Sequence, residues 1–148
     1  MVDFESSPNG GRVNFGFKFG LIGILVFAIV NIAAVITFSS TKPDFVLWIF
    51  QLIAYYIFGA QAAAAQRERQ RNTLNQNQGV AAASIGAAMV LSIGMWLVRI
   101  LRDLVFGIVN PYGILWMIVW ALVDVPIAIG IGAAAGRSKT PIENENFY

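Results

Sequence analysis

The chain has 148 residues, of which 57% are hydrophobic and only 12% are charged. A soluble domain carries about 25% charged residues, so this chain has too few polar residues to cover a water-facing surface. The length fits one domain, and a formal net charge of +2 gives little support for nucleic-acid binding. The composition therefore indicates an all-α integral membrane protein, a single membrane domain over residues 1–148.

The sequence contains no cysteine and no histidine. This composition excludes thiol catalysis, Fe–S clusters, ordinary zinc sites and haem or pigment held by histidine. It also removes the commonest general base. We therefore predict that the protein is not an enzyme and has no catalytic residue, no metal site and no cofactor. A bound lipid, or a pigment held without histidine, stays compatible with the sequence.

Three apolar runs reach the length of about 20 residues that a membrane-crossing helix needs. They cover residues 19–38, 45–65 and 114–135. The first is too long for the apolar core of a secretory signal, so we expect it to remain as a span. Polar residues before, between and after the runs predict tails over 1–18 and 136–148 and a loop over 66–79. We expect the second helix to continue for one or two turns into that loop.

The apolar stretch over residues 80–109 is interrupted by Arg99, Arg102 and Asp103. It crosses either as 80–99, with the charges at the membrane surface, or as 89–109, with the charges inside. The turn sequence Asn-Pro-Tyr-Gly at 110–113 favours the second alternative. Arg99 and Asp124 lie ten residues on either side of that turn, each about 15 Å deep. We therefore predict four spans in two antiparallel hairpins, with Arg99, Arg102, Asp103 and Asp124 forming one charge-balanced network.

The spacing of side chains in the third span supports the buried alternative. Ser92, Trp96, Arg99, Asp103 and Phe106 recur every three or four residues and share one helix face. Leucines at 97, 101 and 104, with Val105 and Ile108, form the other face, which suits lipid.

Other polar and small residues predict contacts between the helices. Asn31 in the first span and Gln51 in the second lie at similar depth, and we predict that they pair. Two ladders of small residues predict helix–helix contact faces. The ladders are Ser84, Ala88 and Ser92, and Ala128, Gly132 and Gly136.

Aromatic and basic residues near the span ends predict the membrane boundaries. Trp48, Tyr112 and Trp116 are predicted interfacial anchors, whereas Trp120 and at least one of Tyr55 and Tyr56 are expected to contact the bundle. Arg67, Arg69 and Arg71 are predicted to meet lipid headgroups or a partner. With four spans, one side carries seven Lys and Arg residues and the other one to three, which predicts that both termini are cytoplasmic. The seven are Arg12, Lys18, Arg67, Arg69, Arg71, Arg137 and Lys139.

Two functions fit this architecture. The first is a non-catalytic accessory subunit of a larger membrane complex, bioenergetic or photosynthetic, that packs between other integral membrane subunits and lipid. The second is a small oligomeric ion or proton channel or transporter that uses Asp124 and Arg99. A balanced charge network needs no ligand, so the sequence favours the subunit. Ionisable residues inside a membrane are functional candidates, which keeps the second hypothesis open.

Overall fold

The computed structural model describes residues 10–38, 44–69, 79–107 and 113–138, with side chains over 15–37, 47–69, 79–107 and 115–137. These residues form four α-helices. They are α1 (Gly10–Phe38), α2 (Asp44–Arg69), α3 (Val80–Phe106) and α4 (Gly113–Ser138). Each helix is long and apolar enough to cross a membrane. The fold is therefore all-helical, as the sequence predicts.

The helices extend beyond the predicted spans. Helix α1 begins at Gly10, so the predicted polar tail over 1–18 is wrong for residues 10–18. Packing explains the extension, because Phe15 and Phe19 contact a buried alanine cluster supplied by α2 and α3. Helix α2 continues to Arg69, about one turn into the polar loop, as predicted.

Helix α3 is one continuous helix of 27 residues, which contains the first alternative span and residues 89–106 of the second. It is flanked by Gly79 and Gly107, whose positive φ angles of 82° and 62° suit glycine. At 1.5 Å per residue α3 is about 40 Å long, which exceeds the roughly 30 Å apolar core of a bilayer. The two alternatives therefore differ only in which part of this one helix lies within the membrane, and so in the depth of Arg99 and Arg102.

Helix α3 is the centre of the bundle. It packs against all three other helices, whereas α1 and α4 make no contact within the described part of the chain. As a result, 61% of the α3 span is buried, compared with 22% of the spans in α1 and α4. Helices α3 and α4 pack closely, as a hairpin requires, but α1 packs more extensively on α3 than on α2.

Glycine explains why α1 prefers α3. A Cβ atom at Gly20 would lie 2.7 Å from the carbonyl oxygen of Ala87, and one at Gly16 would overlap the carbonyl group of Ala83. The two backbones therefore approach more closely than any larger residue would permit. Such small-residue contacts drive helix association where water is absent.

The predicted small-residue ladders form the interface between α3 and α4. A Cβ atom at Gly132 would lie 3.0 Å from the Cβ of Ala88 and 3.0 Å from the carbonyl oxygen of Ser84. The Ser84 hydroxyl also donates a hydrogen bond of 2.6 Å to the Gly132 carbonyl. Ala128 belongs to the same buried cluster as Ala88. The prediction that these ladders are contact faces is confirmed.

The outer surface of the bundle is strongly apolar. Helix α1 exposes leucine, isoleucine and valine along most of its length, and α4 does the same over its first half. On α3, Leu97, Leu101, Leu104 and Val105 are exposed as predicted. By contrast, Asn31, Gln51, Ser92 and Asp124 are polar side chains buried inside the bundle.

Candidate functional site

A buried carboxylate lies at the middle of the bundle. Asp124 is near the centre of α4 and is only 1% exposed. It lies opposite Ser92, which is 12 residues after the start of α3 and 14 before its end. At 1.5 Å per residue, Ser92 is about 20 Å from either end of α3. The site is therefore as far from both ends of the bundle as this fold allows.

Four uncharged side chains donate hydrogen bonds to one oxygen of this carboxylate, Asp124 Oδ2. From α2, Gln51 Nε2 donates at 2.7 Å and the Tyr55 hydroxyl donates a short bond. From α3, Ser92 Oγ donates at 2.8 Å and Trp96 Nε1 at 3.1 Å. Gln51 Nε2 also donates to the Tyr55 hydroxyl oxygen. Asp124 thereby joins α2, α3 and α4.

Helix periodicity explains how the donors converge. Gln51 and Tyr55 are four residues apart on α2, and Ser92 and Trp96 are four residues apart on α3. Residues at this spacing lie one above the other on the same helix face. Helices α2 and α3 therefore each direct two hydrogen-bond donors, one helical turn apart, at Asp124.

Two buried oxygens of the site accept no hydrogen bond among the described residues. They are Asp124 Oδ1 and Gln51 Oε1. A buried acceptor without a partner costs about 1–3 kcal/mol, and more when it is charged. These two oxygens therefore have lone pairs available for a proton or a small cation.

The comparisons with known proteins add nothing to this geometry. No family model, curated protein or solved structure matches the chain. What the site can do therefore follows from its own chemistry.

Arg99 is buried beside the site, at 4% exposure. Its guanidinium carbon lies 4.9 Å from the centre of the Trp96 ring and 5.8 Å from that of Phe27. Both distances fit cation–π contacts. Arg99 and Asp124 thus contact the same indole, whereas the hydrogen bonds to Asp124 come from uncharged donors.

The predicted equal depth of Arg99 and Asp124 is wrong. Asp124 is level with Ser92 and Trp96, and Arg99 is three residues beyond Trp96 and seven beyond Ser92, about 5–10 Å closer to the end of α3. The count from the turn placed the end of the third span at residue 109, whereas α3 ends at Phe106, so Arg99 is seven residues from the end of its helix instead of ten.

The other predicted charges form a separate cluster. Arg102 Nη2 lies 2.6 Å from Asp103 Oδ1, and Arg102 Nε donates to the same oxygen at 2.7 Å. Arg102 Nη1 also donates to Asn31 Oδ1 of α1 at 3.0 Å. This is a buried salt bridge between neighbours on one helix, tied to α1. The four charges therefore lie in two clusters instead of one network.

The predicted pair of Asn31 with Gln51 is also wrong, although both amides are fully buried. Asn31 accepts a bond from Arg102, and Gln51 donates to Asp124. Hydrogen bonds to charged groups are stronger than bonds between two amides. In addition, α1 packs mainly on α3, which keeps Asn31 beside Arg102.

The predicted boundary residues lie at the periphery. Trp48 is half-buried near the start of α2, and Trp116 is exposed. Trp120 was expected to pack inside, but it is 42% exposed and contacts the Trp116 ring edge-to-face. Arg69 lies over the Phe15 ring at 5.3 Å. Two predicted site residues, Tyr112 and Arg71, fall outside the described residues. The same is true of the tail and loop segments 1–9, 70–78 and 139–148.

Pro126, two residues after Asp124, lies on the outer face. Proline lacks an N–H group and so leaves the carbonyl of Leu122 without its usual helix bond. Both Pro126 and Leu122 are exposed, whereas Asp124 is buried. The kink-prone position is therefore on the opposite face of α4 from the carboxylate.

Proposed function

We propose that the four helices cross a membrane and that the protein is a small channel or transporter for protons, with Asp124 as the proton-binding residue. One observation carries the proposal: a carboxylate at mid-bundle is held by four uncharged donors while its second oxygen, Oδ1, has no hydrogen bond among the described residues. An ionisable group at that depth is costly and marks ion pathways in membrane proteins.

The arrangement of the charges favours transport over the accessory-subunit hypothesis. That hypothesis depended on Arg99, Arg102, Asp103 and Asp124 forming one charge-balanced network, which would leave no role for a ligand. Instead, the salt bridge belongs to Arg102 and Asp103. Asp124 keeps a charge that a bound proton can neutralise.

The ligand chemistry favours a proton over a metal cation. Hard cations such as Ca²⁺ and Mg²⁺ collect six or more oxygen ligands. Here the hydrogens of Gln51, Tyr55, Ser92 and Trp96 are directed at Oδ2, so their positive ends face the carboxylate. A proton needs only one lone pair on Oδ1. Proton binding therefore requires no rearrangement of the donors.

The distribution of basic residues supports one direction of insertion. The side of the bundle with Arg67, Arg69 and Arg137 is the richer in Lys and Arg. By the positive-inside rule, we propose that this side, with both termini, is cytoplasmic.

Proton flux into proteoliposomes tests the proposal. The purified protein is reconstituted with a pH-sensitive dye inside, and a potassium gradient with valinomycin imposes a membrane potential. We expect the wild type to acidify the lumen and Asp124→Asn to abolish the flux, because an amide cannot bind the proton but can still accept the four hydrogen bonds. Glu68→Gln makes the same chemical change at an exposed acid on α2, and it should retain the flux.

Three results would contradict the proposal. A folded Asp124→Asn protein with wild-type flux would exclude Asp124 as the proton site. A wild type that carries no flux, but that leaves the membrane in mild detergent with fixed amounts of other integral subunits, would favour the accessory subunit. Sodium flux without proton flux would replace the proton by a metal cation.

A further inference from the structure

Arg67 in the last turn of α2 has a buried donor edge. Gly59 of the same helix packs against Ser84 and Ala135, which lie near the start of α3 and the end of α4. Arg67 is two turns further along, at that end of the bundle. Its side chain is half-buried, and its Nε and Nη2 atoms are buried without a hydrogen bond among the described residues. Buried charged donors of this kind require an acceptor.

The two nitrogens define which acceptor fits. Nε and Nη2 form one edge of the planar guanidinium, and their N–H bonds are parallel. Such an edge binds two oxygens of one phosphate or carboxylate group at the same time. A lone carbonyl oxygen would satisfy only one of the two donors. The ligand of Arg67 is therefore an anion with two acceptor oxygens side by side.

Arg69, in the same turn, is held differently. Its guanidinium carbon lies 5.3 Å from the centre of the Phe15 ring, which is a cation–π contact, and its side chain is exposed. The sequence predicted headgroup or partner contacts for both arginines alike. The structure separates them, because the buried donor edge belongs to Arg67.

The depth of Arg67 favours a lipid phosphate over an anion dissolved in water. Arg67 is 12 residues beyond Tyr55, which donates to Asp124 at mid-bundle. At 1.5 Å per residue this separation is about 18 Å. The hydrocarbon core of a bilayer extends about 15 Å from its midplane, and the headgroup layer continues to about 20–22 Å. With Asp124 at the midplane, Arg67 lies at the level of the headgroups.

Basic side chains predominate at this end of the bundle, which selects an anionic headgroup. Among the described residues its charged side chains are Lys18, Arg67, Arg69, Arg137 and the single acid Glu68. We propose that the Nε–Nη2 edge of Arg67 binds the phosphate of an anionic lipid headgroup. This inference rests on the membrane crossing in the proposed function, but it does not depend on proton transport.

Native mass spectrometry of the purified full chain in mild detergent tests the inference. The probe is phosphatidylglycerol, and phosphatidylcholine is its zwitterionic comparison. We expect the wild type to bind one phosphatidylglycerol more tightly than phosphatidylcholine. Arg67→Gln should weaken that binding about tenfold, which corresponds to the loss of one charge-assisted hydrogen bond. Arg67→Lys keeps the charge but has no parallel pair of N–H bonds, so it should also lose most of the affinity.

Lys18→Gln is the matched control, because it removes the same charge at an exposed residue of α1. It should leave phosphatidylglycerol binding within about twofold of the wild type. Inorganic phosphate in excess should not displace the lipid, since it lacks the acyl chains that keep the headgroup at this depth. Should Arg67→Gln fail to purify, Arg67→Lys carries the test.

The outcomes separate this inference from the proton site. Equal losses in the Arg67 and Lys18 variants would mean that binding follows net charge alone, and they would overturn the inference. Equal binding of the two lipids, or displacement by inorganic phosphate, would overturn it as well. None of these results bears on the proton flux, which Asp124→Asn tests separately. A wild type that stays in solution without detergent would overturn the membrane crossing and this inference together.

Discussion

The two charged clusters in the bundle stabilise buried charge in different ways. Arg102 and Asp103 are neighbours on α3, and each neutralises the other. Asp124 has four uncharged donors, which come from two other helices. A charge paired within its own helix depends little on the rest of the fold. A charge without such a partner depends on the correct assembly of three helices, and it remains able to bind a proton.

The largest expected effect comes from removing the acceptor at the three-helix cluster. Asp124→Leu removes the acceptor shared by four buried donors, of which Gln51 keeps its bond to the Tyr55 hydroxyl, and each group left unsatisfied costs about 1–3 kcal/mol. We expect the free energy of unfolding to fall by more than about 3 kcal/mol, measured by denaturation of the reconstituted protein with SDS. Asp124→Asn keeps an acceptor oxygen and should lose much less. Equal losses in the two variants would mean that the donors do not depend on Asp124.

Double substitutions distinguish the two clusters more sharply. Asp103→Leu alone leaves the Arg102 charge buried, which should cost about 3–5 kcal/mol. Arg102→Leu together with Asp103→Leu removes the whole pair and should recover most of that loss. Arg99→Leu should not rescue Asp124→Leu, because Arg99 is not one of the donors to Asp124.

The same SDS denaturation measures both double variants. Rescue of Asp124→Leu by Arg99→Leu would show that the two charges depend on each other directly, as the equal depths inferred from the sequence suggested. Failure of the Arg102 and Asp103 double variant to recover would show that Asn31 makes that cluster depend on α1 as well.

A smaller effect is expected where no charge is involved, at the contact between α1 and α3. Gly16→Ala places a methyl group against the Ala83 backbone, which cannot move easily. Overpacking of this kind costs about 1–3 kcal/mol. Gly130→Ala is the matched control on α4, because a Cβ there meets nothing within 4 Å. Helix propensity predicts that this control is neutral or slightly stabilising, and a similar loss at both glycines would contradict close packing of α1 on α3.

Much of the architecture was predictable because it depends on local pattern. The apolar runs identified four helices, and the periodicity of α3 identified which face is exposed. The small-residue ladders were correct for the same reason, since an interface of Ser84, Ala88 and Gly132 is visible in the spacing alone.

The composition of the site was less predictable. Asp124 was a clear candidate, and a buried partner for one of the two mid-span tyrosines was expected. The sequence analysis did not predict that four uncharged donors would converge on Asp124. The available signal was the pair of i, i+4 polar residues in each of two apolar helices, Gln51 with Tyr55 and Ser92 with Trp96. This spacing identifies one polar face on each of the two helices, but it does not show that the two faces meet at Asp124.

By itself, the sequence determined the class of protein, the number of helices and which side chains avoid the outer surface, because these depend on hydrophobicity and helical period. Only the tertiary structure decided that α1 packs on α3, that Asn31 bonds Arg102 and that Asp124 meets uncharged donors. The physical reason is that the rotation and relative height of packed helices are set by where glycine lets backbones approach. A shift of two turns between neighbouring helices, about 11 Å, exchanges one hydrogen-bond partner for another without changing any local pattern.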